Sequence, residues 1–330
     1  MKLRVAVLYG GRSGEHEVSL RSAESIIQAM DPARYEVERI LIEKDGRWHP
    51  RAISPDPSAN PGIDVVFPVL HGTFGEDGTV QGLLELAGLP YVGAGVLASS
   101  VSMDKDVMKR LMRERGLPIV DYVTLRRGEH SSAEGLCKRF PFPMFVKPAN
   151  LGSSVGISKV KTCAELKTAI ELAAQYDRKI LIERGITGRE FECSVMGNDQ
   201  PIAAVPCEIV PFKEFYDYED KYLLGKSQTV LPANLTPEQT SEIQRLAVEC
   251  YRAVECEGMA RVDFLMDGAA GEKPGEWFIN EINTIPGFTS ISMYPKMWEA
   301  AGIPYPQLID RLIELALERD KARKSTRFTR

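Results

Sequence analysis

Two nearby stretches of the chain alternate apolar and polar positions with a period of two. In residues 258–266, Arg261 and Asp263 share one face while Val262 and Phe264 share the other. In residues 276–283, Glu281 and Asn283 share a face. The segment between them is rich in Gly and carries a Pro, so the pair is predicted to form a β-hairpin. A different pattern opens the chain. Residues 4–9 read as a buried strand, Gly10-Gly11-Arg12-Ser13-Gly14 as a loop, and Leu20, Ala23, Ile26, Ile27 and Met30 recur at helical spacing. Strand, glycine loop and helix begin a doubly wound α/β unit. Residues 35–43 and 64–70 supply further strands, and the α/β pattern runs to about residue 100.

The middle of the chain changes character. A helix is predicted over 105–115, ended by Gly116 and Pro118. A strand (142–147), a Gly/Ser-rich turn (150–156), a strand (157–161), a helix (163–175) and a strand (179–183) form a compact α+β unit. Residues 185–192 lead into another strand. Residues 211–234 hold charges and aromatics with little periodicity and read as a functional loop. A helix (237–255), the hairpin and a last helix (305–322) follow.

Composition narrows the function classes. A chain of 330 residues accommodates two or three domains, and 44% hydrophobic with 26% charged residues is the balance of a soluble globular protein. A net charge of −5 argues against a dedicated nucleic-acid binder. No apolar run approaches the roughly 20 residues of a membrane span, and the N-terminus enters a strand with no signal peptide. The six cysteines (137, 163, 193, 207, 250, 256) lack CxxC spacing and are expected to be reduced thiols, which points to the cytoplasm. The basic tail, 319–330, reads as a solvated end.

The hairpin gathers Asp263, Glu281 and Asn283, three oxygen donors without Cys or His. Such a set suits Mg²⁺, and Arg261 beside it can steady an anion. Two common nucleotide signatures are absent. The first glycine loop is not GxGxxG, and Gly225-Lys226-Ser227 lacks the leading Gly of a P-loop because position 220 is Asp. A dispersed phosphate site remains: Lys147, with Gly152 to Gly156 after it offering backbone N–H groups and serine hydroxyls. Glu183 and Glu190 flank a glycine-containing link, where carboxylates can accept hydrogen bonds from an adenine amino group and a ribose hydroxyl. Taken singly, an ordinary turn with a solvated lysine and two surface carboxylates explain these residues as well.

Together the motifs resemble the D-alanine–D-alanine ligases of the ATP-grasp superfamily. The matching stretches are 8–20 (LYGGRSGEHEVSL), 71–82 (HGTFGEDGTVQG), 146–148 (VKP) with 153–156 (SSVG), 215–222 (FYDYEDKY), 261–263 (RVD) and 281–287 (EINTIPG). They run in family order and span nearly the whole chain. The resemblance implies an N-terminal doubly wound α/β domain (1–104) followed by a two-lobed ATP-grasp fold, with a central lobe (105–190) and a C-terminal lobe (191–330) whose loop 213–226 is a lid. It implies ATP-dependent joining of two D-alanines through an acylphosphate, for peptidoglycan synthesis, in a cytoplasmic homodimer that needs neither nucleic acid nor membrane.

Residue roles follow from the same resemblance. Asp263, Glu281 and Asn283 match ligands of two Mg²⁺ ions, for which Mn²⁺ can substitute. Lys105 and Lys147 match phosphate-contacting lysines; Glu183, the Ile186 backbone and Glu190 match adenine and ribose contacts. Phe215 matches a residue packed on the nucleotide, with a core position as its alternative. Arg261 and the Gly287 N–H match an oxyanion pair; a salt bridge to Asp263 is the competing role for Arg261. Glu15 matches the carboxylate that holds the first D-alanine's ammonium, and His71 lies near it or is structural. Ser292 and Met293 match the second-substrate subsite, with core packing the rival for Met293. Lys221 matches a γ-phosphate contact, and Tyr222 a network with Glu15 and Ser153. The lid's Lys221-Tyr222 pairing implies the dipeptide product, while Asp220 departs from the small residue of many relatives. A sister ligase using D-lactate or D-serine, and a non-catalytic nucleotide-binding module, are the alternatives.

Overall fold

The computed structural model describes residues 2–129, 133–211, 228–268 and 275–327. Phe215, Asp220, Lys221 and Tyr222, and with them the lid, lie outside the described residues. Three sheets organise the rest.

The first sheet uses β1 (Leu3–Gly10), β2 (Tyr35–Ile42), β3 (Trp48–His49) and β4 (Val65–Val69) in the order β3-β2-β1-β4. β1 pairs in parallel with both β2 and β4, so it is buried on both faces, which explains its continuous apolar run. Val5, Val7, Val65 and Phe67 pack toward Ala23 and Ile26 of α1 (His16–Ala29). Ala6, Leu8 and Val66 pack the other way, with Val80 and Leu84 of α2 (Thr79–Leu86). Helices on both faces make the unit doubly wound. β1 ends at Gly10 with φ +90°, where a Cβ would stand 2.3 Å from the Ile42 carbonyl oxygen, so only glycine fits the turn into the loop.

Two short helices, α3 (Val96–Met103) and α4 (Lys105–Glu114), lead to the second sheet. It combines β5 (Tyr122–Arg126), β6 (Met144–Pro148), β7 (Ser158–Val160) and β8 (Lys179–Arg184) in the antiparallel order β5-β8-β6-β7. α5 (Ala133–Cys137) and α6 (Cys163–Tyr176) belong to this unit, and Leu166, Ala169 and Ala173 of α6 pack on Met144, Val146, Ile180 and Ile182. Here one expectation is corrected. Cys137 and Cys163 form a disulfide with Cα atoms 5.7 Å apart, so the cysteines are not all reduced thiols. Sequence spacing hid the pair because α5 brings together two residues 26 positions apart. The other four are free and buried, and burial pushes the Cys193 thiol up to about 12.

The third sheet contains β9 (Gly188–Gly197), β10 (Ile202–Ala203), β11 (Cys207–Val210), β12 (Gln228–Val230), β13 (Gly258–Asp267) and β14 (Trp277–Asn283), in the order β12-β11-β9-β13-β14 with β10 also on β9. One face is apolar: Phe191, Cys193, Val195, Val262 and Ile282 pack on α7 (Pro237–Ala253) and on Met108 and Met112 of α4. The opposite face carries Glu190, Glu192, Arg261, Asp263, Glu281 and Asn283 and looks into the cavities described below. α8 (Met293–Ala300) and α9 (Tyr305–Lys324) close the chain against the first sheet. Among the described residues, no helix is long and apolar enough to cross a membrane.

Candidate active site

The β13–β14 pairing sets the floor of the site. Arg261 lies directly opposite Asn283 and Asp263 directly opposite Glu281, with a register shift just after Asp263. The strand period therefore puts all four polar side chains on one face, while Val262 and Ile282 anchor the other in the core. Arg261 donates two hydrogen bonds to Asp263, each 2.7 Å, and its Nε lies 3.4 Å from Glu192 on β9. Burial works against the Arg261 charge, but Asp263 and Glu192 outweigh it and raise its pKa. The Asn283 amide oxygen accepts the Ile285 N–H at 3.0 Å.

Two cavities adjoin above this floor. They share Lys105, Gly152, Ser153, Glu192 and Glu281 in their walls. The first also takes in Glu15, His71, Arg261, Asn283, Gly287, Ser292 and Met293; the second takes in Lys147, Glu183, Ile186, Glu190 and Asp263. The described residues to which the resemblance gives a site role thus each border one of two joined spaces. Those assigned to amino acid substrates border the first, and those assigned to the nucleotide border the second.

In the first cavity Glu15 occupies the N-cap position of α1 but makes no side-chain cap. Its carboxylate instead accepts the Ser153 hydroxyl at 2.5 Å. Ser153 and Ser154 both hold left-handed backbone, φ +52° and +59°, an unusual conformation for two consecutive non-glycine residues. At the far wall Ser292 caps α8 without a side-chain cap bond; its hydroxyl accepts the Thr289 N–H at 3.0 Å, turned back beside Gly287. Met293 is buried in the core and reaches the same cavity. His71 is a structural link as well as a wall: Nδ1 lies 3.1 Å from the Ile285 carbonyl oxygen and Nε2 lies 3.2 Å from the Ser22 hydroxyl. Glu76 stands 3.6 Å from Nδ1. Burial lowers the His71 pKa, Glu76 and Glu15 more than compensate, and the net direction is up.

In the second cavity, Lys147 extends from β6 to Glu183 on β8, 2.6 Å away, and donates to Asn280 at 3.2 Å. Lys105, at the first turn of α4, donates to the Leu151 carbonyl oxygen at 2.7 Å and lies 3.4 Å from Glu281. Burial raises the Glu183 pKa, but Lys109 and Lys147 overwhelm it and hold the carboxyl at about 2. Its carboxylate is engaged by two ammonium groups and still borders the second cavity. The link from β8 to β9 passes Ile186 and closes at Gly188, where a Cβ would stand 1.9 Å from the Met266 carbonyl oxygen.

The donor set fits a hard divalent cation. Asp263, Glu281 and Asn283 offer oxygen only, from one face of one hairpin, and the two carboxylates already attract the cationic groups of Arg261 and Lys105. Among the described residues no group of three or more His, Cys, Asp or Glu assembles as a metal site, as befits two carboxylates and an amide. Sequence reasoning passed over Glu76, Lys109, Glu192 and Asn280. Lys109 carried a usable signal: it shares the buried face of α4 with Lys105, Met108 and Met112, four residues on from Lys105.

Comparison with known proteins identifies the family. Residues 4–61 and 50–94 match a family model described as D-ala D-ala ligase N-terminus, and 111–314 match D-ala D-ala ligase C-terminus. The chain is 65% identical over 330 residues to the D-alanine–D-alanine ligase of Solibacter usitatus, covering all of both chains. It is 48% identical to that of Natranaerobius thermophilus, covering 99% of each. A solved D-alanine–D-alanine ligase from Coxiella burnetii superposes with a TM-score of 0.87 at 39% identity, over 98% of this chain and 96% of that one. The VanG D-Ala:D-Ser ligase of Enterococcus faecalis superposes with a TM-score of 0.87 at 36% identity, over 96% and 100%.

Proposed function

We infer, since the chain belongs to the D-alanine–D-alanine ligase family of the ATP-grasp superfamily, that it joins two molecules of D-alanine with ATP as co-substrate, for peptidoglycan precursor synthesis. The observation that supports this reading best is the junction of the two cavities at Lys105, Ser153 and Glu281. A phosphoryl donor in one space and a carboxylate acceptor in the other meet there.

Glu15, steadied by Ser153, holds the ammonium of the first D-alanine and points its carboxylate toward the junction. Lys105 and Lys147 place positive charge where phosphate oxygens gather. The substrate carboxylate attacks the γ-phosphorus and gives an acylphosphate, which converts a poor acyl donor into one with a good leaving group. The second D-alanine, its carboxylate held by the Ser292 hydroxyl beside Met293, then attacks the acyl carbon through its amine, which loses a proton as phosphate leaves. Arg261 and the Gly287 N–H stabilise the oxyanion of that step; one such donor is worth about 2.7–4 kcal/mol of barrier elsewhere. Asp263, Glu281 and Asn283 are the residues that would hold Mg²⁺, which when bound neutralises phosphate charge while two anions approach. Glu183, Glu190, the Ile186 backbone and, by sequence alone, Phe215 receive the nucleoside; also by sequence alone, Lys221 is assigned to the γ-phosphate and Tyr222 to a network with Glu15 and Ser153.

The same proposal includes domains at 1–104, 105–190 and 191–330, a homodimer and a cytoplasmic location. Light scattering tests the dimer. An ATP-dependent phosphate-release assay with D-alanine, D-serine and D-lactate, with product masses, tests the function. D-Alanyl-D-alanine as the main product supports it; a mixed product with D-serine or D-lactate in excess assigns the sister activity. Folded protein that releases no phosphate in response to D-alanine is a binding module. Chelation of divalent cations is expected to abolish turnover.

A further inference from the structure

Lys109 is completely buried, yet it is an ammonium in the middle of α4. Its Nζ lies 3.2 Å from one Glu183 oxygen, and the other Glu183 oxygen lies 2.6 Å from Lys147. The three side chains form a line, lysine, carboxylate, lysine, that runs from the core to the second cavity. Lys147 and Glu183 border that cavity and Lys109 does not. Burying an ion costs several kcal/mol even after relaxation. A methionine at 109 would continue the row of Met108 and Met112 without that cost.

We propose that Lys109 is a positioning residue for the nucleotide: its charge satisfies Glu183 from below and leaves Lys147 net cationic toward the polyphosphate. The charge count carries the argument. A Lys147–Glu183 pair alone is neutral and offers a polyphosphate little. With Lys109 the group sums to +1, and the positive charge faces the cavity because Lys147 is its outermost member. Burial lowers the Lys109 pKa and Lys147 adds to the fall; the Glu183 carboxylate 3.2 Å away opposes both, and the net direction is down. The Tyr122 ring, 5.8 Å from Nζ, adds its face to the same ammonium. This inference rests on reading the second cavity as the ATP site.

The test is steady-state kinetics with thermal unfolding on the full-length protein, wild type against Lys109→Met, Lys109→Gln and Lys109→Arg. Lys109→Met is expected to raise the KM for ATP about tenfold, the order for one charge acting through a partly desolvated medium. The kcat and the KM for D-alanine are expected to stay within about twofold, since Lys109 touches neither reacting group. Lys109→Arg keeps the charge and should recover most of the ATP KM, which lost packing alone would not do. A folded Lys109→Met protein with an unchanged ATP KM overturns the proposal, as does a folded Lys109→Arg protein no better than Lys109→Met. Should Lys109→Met fail to fold, the neutral but polar Lys109→Gln decides: an ATP KM raised about tenfold supports the proposal and an unchanged one overturns it. Wild-type protein that binds no ATP in calorimetry removes the nucleotide reading itself, a result distinct from any of these.

Discussion

Asp263 is claimed from two sides, by the Arg261 guanidinium that grips both its oxygens and by the cation that the oxygen set suits. Its partner across the hairpin, Glu281, has a side chain 29% exposed and lies 3.4 Å from the tip of Lys105. Replacing Glu281 by Gln removes a charge without opening a hole. It is expected to lower kcat at least about 100-fold, the scale of a lost metal-ligand charge, while Tm stays within about 2 °C. A joint fall of activity and melting temperature would make Glu281 structural. His71 makes a prediction with the pH axis. Folding raises its pKa, and burial raises that of Glu76 beside it. A histidine so shifted stabilises fully below its unfolded value, near 6.5, and loses that contribution as pH rises through the folded value. The stability gap between wild type and His71→Gln should therefore be widest on the acid side and narrow toward alkaline pH. Thermal melts from mildly acidic to alkaline buffer check this, and a gap that widens with pH refutes it. The gathering of Glu15, Arg261 and Asp263 around the two cavities was legible in the sequence because each sits in a matching motif. Glu76 was not, because nothing in a single charged letter says that its neighbours bury it; Lys109 was overlooked although its spacing from Lys105 put it on the buried face of α4.

Where alternation or amphipathic spacing was strict, the sequence reading and the structure agree closely: β1, β2, β13, β14, α6 and α9 lie within a few residues of their expected bounds. The misses have physical causes. α8 buries five of its eight residues and contains Pro295, so it offers no polar stripe to betray a helix. α3 is rich in serine and small residues, and β5 leaves three of its five residues only partly buried. Residues 211–234, expected to be loop, carry the exposed strand β12 near their end, held by pairing with β11. Backbone pairing of this kind leaves no trace in side-chain pattern. The links between strands are more demanding than their composition suggests. At Gly188 an added Cβ would meet the Met266 carbonyl oxygen and the Gly268 nitrogen, both backbone atoms that cannot swing away. Gly188→Ala is expected to cost about 2–4 kcal/mol, at the upper end of the overpacking range and above, because backbone must shift. Urea unfolding measures it, and a loss under about 0.5 kcal/mol would mean the β8–β9 link relaxes freely.

The first sheet is coded at the start of the chain, but its core is finished by the end. Val5, Val7, Val65 and Phe67 share one apolar cluster with Met293, Tyr294 and Trp298 of α8 and with Leu308, Ile309, Leu312, Ile313 and Leu315 of α9. Polar contacts reinforce the closure: Tyr35 donates to Asp310 at 2.5 Å, Ser25 lies 3.0 Å from the Tyr305 hydroxyl, and Arg319 donates to the Tyr91 carbonyl oxygen at 2.7 Å. Sequence pattern could show that 1–104 forms α/β elements; it could not show which distant helix covers them, because an apolar stripe does not name its partner. Five buried aliphatic side chains from α9, at about 1.5–3 kcal/mol each, amount to roughly 10 kcal/mol, as much as the whole net stability of a typical domain. A fragment ending at residue 104 should therefore fail to fold alone, even though it contains every strand of its sheet. Circular dichroism and limited proteolysis of that fragment provide the check, with a peptide spanning 293–327 added in trans as the second arm. Protection that appears only with the peptide is the expected outcome. A fragment that melts cooperatively without it would mean that α1 and α2 alone bury enough of the sheet, and that the C-terminal helices serve to dock the lobes around the cavities rather than to complete the core.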